Sequence, residues 1–163
     1  MVIIVLGSLG EAVVRGSIVV PGDAAATAAN LRSMEWLWRL GVAGETVLLT
    51  CGIALARILY VLLGPVRHDL ALLATFLNLV CIAVEGVAAV SLATALLPLT
   101  GTYAAAVSPE QLEVMAMLSV RSHTMGFGIA LIFFGIECLI VGYLIRRSGY
   151  LPSAVGLLMQ IAG

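Results

Sequence analysis

The sequence contains no lysine, and its eight basic residues are all arginine. Charged residues make up only 10% of the 163 positions, against about 25% in an ordinary soluble domain. Hydrophobic residues make up 62%, and the mean hydropathy is +1.16. So little charge excludes a soluble globular protein, a disordered chain and a nucleic-acid binder, and a net charge of −1 offers a polyanion nothing to hold. Histidine is nearly absent. His68 and His123 are expected at opposite membrane faces, which excludes a bis-histidine haem within the chain. The cysteines, Cys51, Cys81 and Cys138, sit in separate apolar runs with no CxxC spacing. They read as buried free thiols, and neither a disulfide framework nor a zinc site is supported. No basic region precedes Val2–Leu6, so a signal peptide is not indicated. Nucleophile constellations, HExxH, P-loop and dinucleotide fingerprints are all missing. An enzyme is therefore a distant third reading, and no cofactor or metal is expected.

Long apolar runs take the place of these features. A helix needs about 20 apolar residues to cross a bilayer, so the chain fits about four to five spans. The expected class is all-α, a polytopic transmembrane helix bundle forming a single domain over 1–163. Spans are expected at about 37–63, 70–97 and 122–145, with partial ones at 2–14 and 153–163. The chain reads as trimmed at both ends. An outer loop over 15–35 contains the Pro21-Gly22-Asp23 turn and a short helix started by Asp23 as N-cap. Trp36 and Trp38 mark the outer end of the second span and Tyr60 its inner end, as aromatic belts do. Ser108, Pro109 and Gln111 form a capping-box start. The segment 109–147 would run about 58 Å as one helix, so a rim helix at 109–119 is expected before the span, with a kink near Gly126 and Gly128. Arg67, Arg146 and Arg147 place the turns at 64–69 and 146–152 in the cytoplasm. Arg15 and Arg32 in the outer loop run against that rule.

Ionisable groups inside apolar spans carry the functional information, because they are costly in lipid and face the bundle interior. Arg57, about 9 Å from its inner helix end, and Glu137, about 12 Å from its own, form a candidate intramembrane ion pair. Glu45, Asn78, Glu85, Arg121 and His123 are candidates for a polar cavity. Glu85 lies nearest the midplane, and Asn78 stands on nearly the same helix face. Glu11 and Arg39 lie at span edges. One reading is a proton- or ion-handling path; the plainer one is interhelical packing. Gly128, Gly135 and Gly142 recur at every seventh residue, a smooth stripe that lets another helix approach. Homo-oligomerisation or another membrane protein is the partner this suggests, beside the lipid bilayer itself.

Several stretches carry a resemblance. These are Val14-Arg15-Gly16-Ser17 through Pro21-Gly22-Asp23 to Asn30, Phe133-Phe134-Gly135-Ile136-Glu137-Cys138-Leu139, and Gly142-Tyr143-Leu144-Ile145-Arg146-Arg147-Ser148-Gly149-Tyr150-Leu151-Pro152. Arg39-Leu40-Gly41, Leu59-Tyr60-Val61-Leu62-Leu63 and Ser108-Pro109-Glu110-Gln111-Leu112 keep the same order. Together they resemble the bacterial integral membrane family called domain of unknown function 4386, over nearly the whole chain. The resemblance implies a bundle of about six spans in full-length members. It also implies a histidine near the start of the fourth span, which His123 matches, and often a second where Glu137 stands, which this chain lacks. The family has no assigned activity, so the resemblance supplies no catalytic residues. The expectation is a multi-pass protein of the bacterial inner membrane. It is a small transporter or ion- or proton-coupled carrier, or alternatively a non-catalytic accessory or stress-response partner whose buried charges serve packing.

Overall fold

A computed structural model describes residues 14–100 and 107–163. The expected partial span at 2–14, apart from its last residue, lies outside the described residues, and Glu11 with it. Every regular element among the described residues is helical. The order is α1 (Gly16–Ile18), α2 (Ala24–Ser33), α3 (Glu35–Leu63), α4 (His68–Thr94), a 3-10 turn (Leu97–Leu99), α5 (Pro109–Ser148) and α6 (Ser153–Ala162). Three stretches, Glu35–Leu63, His68–Leu99 and Pro109–Ser148, are long and apolar enough to cross a membrane. Less than half of each apolar stretch is buried, so most of that carbon faces outward, as a lipid-facing helix requires. The protein is all-α, consistent with a polytopic membrane helix bundle.

The helix starts follow from local chemistry. Asp23 accepts a hydrogen bond from Ala26 N at 2.8 Å and caps α2. Ser108 and Gln111 form a reciprocal capping box at α5, with Ser108 N donating to Gln111 Oε1 at 3.2 Å and Gln111 N to Ser108 Oγ at 3.4 Å. The expected break between a rim helix and a span does not occur, because α5 runs unbroken from Pro109 to Ser148. The reason is a continuous buried stripe. Leu112, Ala116, Val120 and His123 succeed one another at helical spacing, all buried, and no proline interrupts them.

The chain forms two compact units, Met1–Leu49 with Gly86–Gly126, and Thr50–Glu85 with Phe127–Gly163. In the first, Val14, Ile18, Leu31, Trp38, Leu92 and Leu96 belong to one apolar cluster. Trp38 departs from the aromatic-belt expectation. It is 1% exposed, and its indole N–H donates to Leu92 O at 3.1 Å, whereas Trp36 is exposed. In the second unit, Leu63, Ala71, Ala74, Val141, Leu144 and Ile145 make the core.

Candidate functional site

In the first unit three ionisable side chains converge from distant segments. Arg15 Nη1 donates to His123 Nε2, Arg15 Nη2 lies 3.9 Å from Glu45 Oε2, and His123 Nε2 lies 3.6 Å from Glu45 Oε1. His123 is fully buried and Glu45 is 7% exposed. A guanidinium has only donors, so the imidazole nitrogen facing Arg15 is an acceptor and carries no proton.

Each member is held by its element. The Leu112–His123 stripe of α5 turns the imidazole inward. Glu45 follows Trp38 by two helical turns on α3, and the Trp38 bond to Leu92 fixes that face. Arg15 is held by the segment after it. Gly22, at φ +84°, turns the chain. Thr27 Oγ1 accepts from Val20 N at 3.0 Å and donates to Asp23 O at 2.8 Å, and Asn30 Nδ2 donates to Ile18 O at 3.1 Å. Helix α2 is thereby clipped back onto α1, next to Arg15.

A separate polar contact lies within the second unit. Asn78 Nδ2 of α4 donates to Glu137 Oε2 of α5 at 2.7 Å. This replaces the expected Arg57–Glu137 ion pair. Arg57 is exposed beside Ile58, Val61, Leu62, Pro65 and Tyr150, and among the described residues no ion pair includes Glu137. The physical reason is rotation about the helix axis. On the part of α3 in the second unit the buried positions are Ala56 and Leu63, and Arg57 is about 100° away from Ala56.

Of the five residues expected in a polar cavity, the structure joins Glu45 and His123. Asn78 belongs to the Glu137 contact, Glu85 is half-buried in the second unit, and Arg121 is exposed. Arg39 at the helix mouth pairs with Glu35 at 2.7 Å. Among the described residues no group of three or more His, Cys, Asp or Glu could hold a metal ion.

The family described as Domain of unknown function (DUF4386) matches residues 1–163. The chain belongs to this family. No curated protein and no solved structure matches it. The buried cluster of this DUF4386 member includes one residue that sequence reasoning missed, Arg15. A signal for it was present, since an arginine in an outer loop runs against the charge bias of membrane topology and calls for a local anion.

The glycine stripe of this DUF4386 member also differs from expectation. Gly135 and Gly142 are taken up by the chain's own α6. A methyl added at Gly142 would lie 2.5 Å from Gly156 O, and one at Gly135 would lie 3.0 Å from Gly163 O. Around Gly128 nothing lies within 4 Å. Gly142→Ala is therefore expected to destabilise the protein by about 2 kcal/mol through overpacking against backbone, while Gly128→Ala, mid-helix with open space around it, is expected to stabilise by about 0.5 to 1 kcal/mol. Thermal melts of both variants in one detergent check this contrast. Equal melting temperatures for the two would contradict the α5–α6 contact.

Proposed function

We propose that this DUF4386 member is a proton- or ion-coupled carrier of the bacterial inner membrane, with Arg15, Glu45 and His123 as its working site. The observation that carries the reading is the convergence of a cation, a carboxylate and a fully buried imidazole inside an apolar helical unit. Intramembrane ionisable groups are expensive, and their usual use is to move or bind charge.

The chemistry follows from the imidazole's position. A proton delivered by hydronium to His123 Nε2 leaves water behind and turns that nitrogen from acceptor into donor. It can then no longer face Arg15, and Glu45 Oε1, at 3.6 Å, is the acceptor within reach. One proton thus exchanges the partner of His123 from Arg15 to Glu45. That exchange couples protonation to a movement of the segment carrying Arg15. The inferred orientation puts the turns at 64–69 and 146–152 in the cytoplasm, supported by exposed Arg67, Arg146 and Arg147. Self-association through the glycine stripe has only Gly128 left to use.

Purified protein in liposomes containing a pH indicator tests the carrier reading. Under an imposed ion or pH gradient, proton flux above empty vesicles is expected, and Glu45→Gln and His123→Gln should abolish it while Arg57→Gln retains it. The competing reading is an accessory protein whose charges serve packing, favoured by the mutual contacts of the three groups. It predicts lowered melting temperatures in the two cluster variants with no flux in any protein, and that result would end the carrier proposal.

A further inference from the structure

The second unit holds a carboxyl group that the carrier site does not use. Glu137 is 5% exposed, its hydrogen-bond partner is the neutral amide of Asn78, and among the described residues no cation pairs with it. A carboxylate ion in that setting lacks the charge partner or the several donors that burial demands. Beside it is the opposite deficit. Asn78 Oδ1 is buried and accepts no hydrogen bond, which leaves a strong acceptor unsatisfied.

One proton removes both deficits. We propose that Glu137 and Asn78 form a proton-binding site, in which the protonated carboxyl donates to Asn78 Oδ1 while Asn78 Nδ2 keeps its bond to the other carboxyl oxygen. The proton comes from hydronium, which leaves as water. One O–H bond forms on the carboxyl, and the buried negative charge is discharged. A pocket lined by Glu137 together with Ala56, Tyr60, Thr75, Val141 and Leu144 has room for about one water molecule next to the carboxyl.

The titratable groups around Glu137 are consistent with a proton as the ligand. Tyr60 stands in the pocket wall, Cys138 follows Glu137 on α5, and Cys81 and Glu85 lie on α4, C-terminal to Asn78. All are neutral or acidic, so none brings a positive charge to hold an ionised Glu137. The site lies within the second unit, and its spectroscopic test needs no flux.

Infrared difference spectroscopy of the protein in lipid nanodiscs, titrated with acid and base, reads the protonated carboxyl directly through its carbonyl stretch. A band is expected that vanishes in Glu137→Gln, persists in Glu45→Gln, and moves to higher frequency in Asn78→Leu, where the acceptor of the O–H is gone. A band indifferent to Glu137→Gln, or unmoved by Asn78→Leu, overturns the proposal. Loss of the band on adding sodium chloride at fixed pH overturns it in favour of a metal cation. Should Glu137→Gln fail to fold, the Asn78→Leu shift decides alone.

Discussion

Replacing Glu45 by alanine is expected to destabilise the protein by about 3 to 5 kcal/mol, the cost of breaking a buried charge pair. The carboxylate is 7% exposed and faces both Arg15 and His123. Its removal takes a carboxylate from beside a guanidinium whose side chain is 18% exposed and opens a cavity there. His123→Ala removes an acceptor of Arg15 and is expected to cost a comparable amount. The double variant should cost less than the sum of the two, with a coupling of about 0.5 to 3 kcal/mol, because the two side chains face each other and both face Arg15. Glu45→Gln separates charge from shape, since it keeps the volume and one acceptor, so its loss measures the ionic part. Unfolding in detergent, followed by the reactivity of the buried Cys81 and Cys138 thiols, gives all four corners of the cycle. Strict additivity would show that the three side chains are neighbours without being a unit.

Depth along a helix was legible in the sequence, and rotation about the helix axis was not. The sequence grouped Glu45 and His123 as candidates for one polar cavity, and they meet. Counting residues matched Arg57 to Glu137 in depth, and they do not meet, because depth says nothing about which way a helix face turns. The buried neighbours do say it: Ala56 marks the inward face of α3 beside an outward Arg57. Arg121 and His123 show the same limit on α5, since two residues span about 200° and only His123 is buried. Asn78 was grouped with Glu85 by its heptad spacing along one helix, but its hydrogen bond goes across to Glu137, a pairing that one-dimensional spacing does not report. Local backbone chemistry was more readable. The Asp23 cap and the Ser108–Gln111 box need only neighbouring residues, so sequence alone carries them. Trp38 lies between these cases, as an aromatic at a helix end that suits both a membrane belt and a core.

The core role of Trp38 makes Trp38→Ala the other severe substitution, with an expected loss of about 3 to 5 kcal/mol. Its ring lies in the cluster of Val14, Ile18, Leu31, Leu92 and Leu96. Lipid is as apolar as those side chains, so the ring's contribution comes from close packing and its hydrogen bond, with little from escaping water. Truncation opens a cavity that α1, α3 and α4 would have to collapse to fill, and the clip between α1 and α2 resists that collapse. Trp38→Phe divides the effect. It keeps most of the packing and removes the N–H that Leu92 O accepts, so it should cost about 1 kcal/mol for the bond plus the smaller volume. Because Trp38 and Glu45 share the inward face of α3, loss of the indole should also let Glu45 move away from His123 and lower proton flux with the carboxylate still present. A Trp38→Ala variant that melts like the parent would return this residue to the membrane belt and remove the anchor from the Glu45 face of α3.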